Sequence, residues 1–176
     1  MRQAFLVLPS LPAVVGVCAL SLAQTPAPPP PPPDERVSAE LITRADAIKI
    51  ADAAIASCER QGETAAVFVT DADGHLRAAQ SSDGVNVIGL RTATLKTAAV
   101  LQFRVSTRSL EDRLKTDPAF AAQYGSDPRY FYHPGAVPVF RNGKFVAVLA
   151  VGGAHAKDES CAFEAMKRLP WASMVP

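Results

Sequence analysis

Three histidines and one aromatic run carry most of the chemistry open to this chain. His133 ends the run Tyr130-Phe131-Tyr132-His133, where an imidazole able to ligate a metal stands beside flat apolar side chains. A surface loop closed by its own aromatic groups accounts for the same residues equally well. His155 follows Gly152-Gly153 and precedes Asp158-Glu159, so it either ligates a metal or orients an acid at a helix start, or simply faces solvent there. His75 opens a strand after the turn Asp71-Ala72-Asp73-Gly74, a place that suits a structural role. The chain has no C-x-x-C-H for covalent haem, no paired Cys or His at zinc spacing, no G-x-G-x-x-G, no P-loop and no G-x-S-x-G.

The elements that position these groups follow from pattern. Asn142-Gly143 between two apolar runs is a strong hairpin signal, because both residues accept the positive φ of a type I′ turn. The run from Phe145 to Val151 is apolar at every position, which predicts a central strand covered on both faces. The glycine pair Gly152 and Gly153 then lets the chain turn sharply into a helix whose first turn carries Asp158 and Glu159. A strand, two glycines and a helix N-terminus can cradle an anion; they are also what a tight connection without a ligand requires.

Upstream, Thr43 and Asp46 form a capping pattern for a helix over Arg44 to Gln61, with Ala45, Ile48, Ala51, Ala54, Ile55 and Cys58 at helical spacing and Gly62 as its stop. Thr64 to Thr70 and His75 to Gln80 read as the strands of a first hairpin. Val85 to Phe103 reads as a long helix bearing Arg91 and Lys96, with Arg104 just beyond; the three charges either meet an anionic group or form a solvated face. Ser106 to Lys115 and Pro118 to Tyr124 are two short helices broken at Asp117-Pro118. Trp171 to Pro176 is a tail able to dock by its indole. The fold class is therefore α+β: an antiparallel sheet of two hairpins, with N-terminal, middle and C-terminal helices.

Composition sets the outer bounds. A length of 176 residues with 48% hydrophobic side chains suits one domain with a real core. Residues 1–23 carry one charge, Arg2, then an apolar stretch ending Ser21-Leu22-Ala23, the pattern of a secretory signal peptide and too interrupted by Pro9 and Pro12 for a membrane span. Residues 24–36 hold the proline-rich spacer, and residues 37–176 the folded domain. Removing the leader leaves 17 basic and 17 acidic side chains, no surplus with which to bind nucleic acid. The expected location is periplasmic or secreted. Of the two cysteines that remain, Cys58 and Cys161, spacing alone leaves a disulfide and buried free thiols equally open.

Three separated motifs in order carry a resemblance: DADGHLRAAQSSDG, then LKTAA, then PGAVPVFRNGKFVAVLAVGGA followed by DESCA. From Ile42 to Leu169 the chain resembles the GlcG/HbpS family, small domains of profilin-like layout whose members include haem-binding proteins. The resemblance implies that the long helix with Lys96 borders a ligand cavity, and that copies of the chain assemble with one another. The aromatic loop before Pro134 departs from the family pattern, and no family ligand transfers residue by residue. Haem iron takes an axial nitrogen, sulfur or phenolate beside an apolar slot, and cations suit its propionates. The expected haem-binding set is therefore His133 first, then His155, His75 and Tyr132, with Lys96 or Arg104 near a propionate. A second reading is a binding protein or enzyme for a small, glycolate-like organic acid, held by Gly152, Gly153 and Arg91 or Lys96. A third is a self-assembling accessory protein with no ligand. No acid or base for a reaction is identifiable, so binding is favoured over catalysis.

Overall fold

A computed structural model describes residues 41–176; the expected leader and the proline-rich spacer lie outside the described residues. Helix α1, Arg44–Arg60, starts where Thr43 accepts a hydrogen bond from the Asp46 N–H at 3.1 Å. It stops where Gly62 takes φ +77°, as expected of that glycine. Its inward stripe is Ala47, Ile50, Ala51, Ala54 and Cys58. The stripe is rotated from the expected one: Ala45 is exposed, and Ile48 and Ile55 sit at its margins. Ile50 packs into the core in their place, on the face that α1 turns toward β1, β2 and α5.

The two hairpins form as the turn chemistry requires. β1 (Ala66–Asp71) pairs with β2 (Leu76–Ser81), and β3 (Ala136–Arg141) pairs with β4 (Lys144–Gly152) through Asn142 and Gly143 at φ 51° and 76°. β4 also pairs with β1, which joins the hairpins into one antiparallel sheet of order β2-β1-β4-β3-β5. The fifth strand, β5 (Ala172–Ser173), comes from the tail. It pairs with Phe140 and Arg141 while the Trp171 ring lies 3.9 Å from the Arg141 guanidinium. Two residues are too few for an alternating pattern to announce a strand, so the tail reads only as a docking segment.

β4 is the central strand that its unbroken apolar run predicts. Ala147, Leu149 and Val151 face α1 and α5 (Asp158–Met166), while Val148 and Ala150 face the other side with Val100 of α2 (Val87–Phe103). The sheet is thus sandwiched between α1 and α5 on one side and α2 on the other. α2 begins two residues later than expected, because the Asn86 side chain accepts the Gly89 N–H and caps it. α3 (Thr107–Thr116) and α4 (Pro118–Tyr124) follow, capped by Ser106 and Asp117. Among the described residues no helix is long and apolar enough to cross a membrane.

Cys58 and Cys161 form a disulfide that ties α1 to α5 across 103 residues of sequence. Closing so long a loop removes freedom from the unfolded chain, which stabilises the fold by about 4–5 kcal/mol in the chain-entropy account. Replacing both cysteines by serine is expected to lower the unfolding free energy by about 2–5 kcal/mol. Urea titration of the two proteins measures the difference.

Candidate functional site

Two of the three motifs, LKTAA and the stretch from Pro134 through DESCA, meet at one buried amine. Lys96 is fully buried on α2, and its Nζ donates to Asp158 Oδ2 at 2.6 Å, to the Val151 carbonyl at 2.9 Å and to the Pro134 carbonyl at 3.0 Å. Three N–H bonds meet three acceptors, so the ammonium is satisfied without water. Asp158 Oδ1 in turn accepts the Ala154 N–H at 2.8 Å. Burial pushes the Lys96 amine below the usual lysine range and the Asp158 carboxyl above the usual carboxylate range, and their mutual attraction opposes both shifts.

Glycines make room for this arrangement. A Cβ on Gly135 would stand 2.6 Å from both Lys96 Nζ and Asp158 Cβ, and φ there is +141°. A Cβ on Gly152 would stand 2.5 Å from the Gly89 carbonyl and 2.6 Å from Thr92 Oγ1. Gly152 therefore serves the close approach of α2 to the end of β4. The anion gathered beyond the glycine pair is the protein's own Asp158 carboxylate.

Above this pair lies a half-open cleft of about 440 Å³. Asn86, Ile88, Gly89 and Thr92 of the α2 start form one wall, and Gly153, His155, Ala156 and Asp158 form the other. Phe131 and His133 complete the lining. Ile88 and Phe131 are large apolar side chains left 65% and 38% exposed on its surface, and the volume lies within the range of small-molecule sites.

The aromatic loop divides its residues by alternation. Tyr130 and Tyr132 turn inward to a cluster with Phe103, Phe120 and Tyr124; Phe131 and His133 turn outward to the cleft. The tyrosines thus close the loop on its own aromatic groups, while Phe131 and His133 line the cleft. His133, with its side chain 47% exposed, has Nδ1 at 3.5 Å from Glu111 Oε1 of α3. His155, with its side chain 79% exposed, has Nδ1 at 3.7 Å from Glu63 Oε2 and holds φ at +52°. Each ring thus has a carboxylate near its Nδ1, at a distance longer than an ordinary hydrogen bond.

The remaining expected site residues lie elsewhere. Tyr132 is buried and donates its hydroxyl to the Tyr124 carbonyl at 3.2 Å; burial pushes its pKa up to about 12, so the phenolate an iron would need is disfavoured. Lys96 has no proton to offer a propionate, since all three are already donated. Arg104 caps the far end of α2 with its guanidinium 4.1 Å from the Phe145 ring, away from the cleft. Arg91 is exposed on α2 and does not line the cleft, nor does Gly152. His75 stands at the β1–β2 turn, also outside it. Sequence reasoning noted the charge of Asp158 but not its partner, and missed Ile88, which lines the cleft, and Glu111 and Glu63, which stand beside its two histidines from distant parts of the chain.

The family model described as haem degrading protein HbpS-like matches residues 42–167. The chain belongs to the HbpS-like family. Among solved structures it is similar to the Streptomyces reticuli HbpS, in a double-mutant form, at 26% identity and TM-score 0.66, covering 83% of this chain and 99% of that one. It is also similar in fold to PduOC, solved as a complex with haem, at 16% identity and TM-score 0.69, with 77% and 99% of the two chains covered. Klebsiella pneumoniae protein ORFY matches at 18% identity and TM-score 0.67, with 77% and 94% covered. No curated protein sequence matches the chain. The profilin-like α+β layout of the HbpS-like family is the one described above, and the family match spans Lys96, Gly135 and Asp158 together.

Removing one partner of the buried pair leaves the other charge uncompensated. Lys96→Ala or Asp158→Ala is expected to cost about 3–5 kcal/mol of folding free energy, measured by urea unfolding. The double variant Lys96→Met with Asp158→Asn recovers part of that loss, because no unpaired charge then remains buried.

Proposed function

We propose that this protein binds haem noncovalently in the cleft between the start of α2 and the turn after β4, with His133 as the axial ligand. The observation that carries this reading is the pairing of an apolar slot, walled by Ile88 and Phe131, with imidazoles whose Nδ1 atoms stand beside carboxylates. A flat apolar group finds burial in the slot, and a nitrogen donor stands at its side. His133 is favoured over His155 because it is the more buried ring and its carboxylate partner lies on the rigid α3 helix. The haem-complexed PduOC and the haem-degrading description of the family support the same reading.

The residues present fit such a group in part. A donor and a slot are in place, while no Lys or Arg lines the cleft to meet propionates. Bound haem would supply iron chemistry; the chain's own residues hold the porphyrin, orient the His133 ring through Glu111 and shield one side from water. Of the anchors named for an organic acid, Lys96 is held by Asp158, Gly152 packs on α2 and Arg91 lies outside the cleft, while Gly153 lines it.

Export belongs to this proposal. The leader read in residues 1–23 and the Cys58–Cys161 bridge both suit an oxidising compartment. Self-assembly is part of it as well, supported by Val87, which leaves apolar surface exposed beside the cleft.

Haemin titration followed by absorbance tests the proposal. The expected result is a saturable one-to-one Soret shift that His133→Ala abolishes and that His155→Ala weakens at most. No saturable shift with the unmodified protein, or a shift unchanged in both variants, overturns it.

A further inference from the structure

The β1–β2 turn holds a second set of ligand groups that the cleft does not use. Asp71, Asp73 and His75 bring two carboxylates and an imidazole together, with one ligand atom of each within 4.8 Å of the others. Among the described residues this is the one place where three such groups converge. The turn is built around Asp71, which is fully buried and accepts the Asp73 N–H at 3.1 Å and the His75 N–H at 3.0 Å through Oδ1.

Those two amides fix the carboxylate, while its other oxygen, Oδ2, faces the Arg77 guanidinium without a hydrogen bond. Asp71 Oδ2 and His75 Nδ1 are both buried polar atoms without a hydrogen-bond partner. Buried donors and acceptors are almost always paired, so two such atoms in one turn point to something that binds between them. Arg77 Nη1 stands 3.6 Å from Oδ2, beyond hydrogen-bonding reach, and it too has no partner. Arg77 balances one carboxylate, and the turn keeps one net negative charge for a cation.

The spacing suits a small transition ion. His75 Nδ1 is 3.3 Å from the Asp71 carboxylate at Oδ1, the oxygen that also accepts the two turn amides, with no hydrogen bond between ring and carboxylate. Two ligand atoms at about 2.0–2.1 Å from one tetrahedral ion stand about 3.3–3.4 Å apart. Asp73 is exposed, so its side chain is free to turn and close a third position. One imidazole with two carboxylates favours a first-row divalent ion over calcium or magnesium, which prefer all-oxygen sites.

We propose that the β1–β2 turn is a binding site for a divalent first-row transition-metal ion, held by Asp71, Asp73 and His75. The site is separate from the cleft and uses none of its residues. Metal-free protein titrated with cobalt(II), followed by its visible d–d absorbance, and with zinc(II), followed by calorimetry, tests this. The expected result is one saturable site per chain that is lost in His75→Ala and in Asp73→Asn and retained in His133→Ala. Both turn substitutions are at exposed or half-exposed positions, and unchanged far-ultraviolet dichroism and haemin titration in them separate loss of the metal site from loss of fold. Absence of saturable binding, or binding that survives both turn variants, overturns the proposal.

Discussion

The ion pair between Lys96 and Asp158 is the constraint on which the rest of the site depends. Moving both charges out of water costs several kcal/mol per ion, and here the cost is offset because every proton of the amine and both carboxylate oxygens find partners. The acceptors come from three parts of the chain: the end of β4, the turn before β3 and the first turn of α5. One amine on α2 thereby fixes three segments at once. The steric demand at Gly135 follows from the same geometry, since any Cβ there would enter the space of the Lys96 ammonium.

That constraint also shapes the cleft. Asp158 forms part of its floor, and the Ala154 N–H held by the same carboxylate sets the turn from which His155 projects. Opposite, the loop from Gly125 to Pro134 is pinned by its inward tyrosines and by the Phe131 N–H bonded to the Leu95 carbonyl at 3.4 Å. His133 is thus carried on a backbone held from both sides. The result is an apolar slot with a nitrogen donor on a fixed loop, the minimum a porphyrin requires.

Much of the fold was legible from local signals. The Asn142-Gly143 turn, the unbroken apolar run of β4, the Thr43 cap and the proline break at Pro118 each depend on residues close in sequence, and each element formed within two residues of its expected bounds. What was not legible depends on residues far apart. The disulfide joins positions 103 apart, and spacing alone left it undecided. Lys96 looked like one of three charges on a helix face because nothing local reveals that Pro134, Val151 and Asp158 converge on it. The aromatic loop was ambiguous for the same reason: alternation divides its residues between core and cleft only once Phe103 and Phe120 are in place to receive the tyrosines.

Haem binding as proposed puts the porphyrin in the cleft over the Lys96–Asp158 pair. The most direct measurement is a set of ¹H–¹⁵N correlation spectra recorded on adding gallium(III) protoporphyrin IX, a diamagnetic analogue of haemin. The expected result is saturable shifts confined to the α2 start around Ile88 and Gly89, to Phe131 and His133, and to the turn from Gly153 to Ala156, with the β1–β2 turn and the Arg104 region unmoved. Shifts centred anywhere else, or none at saturating ligand, would contradict it.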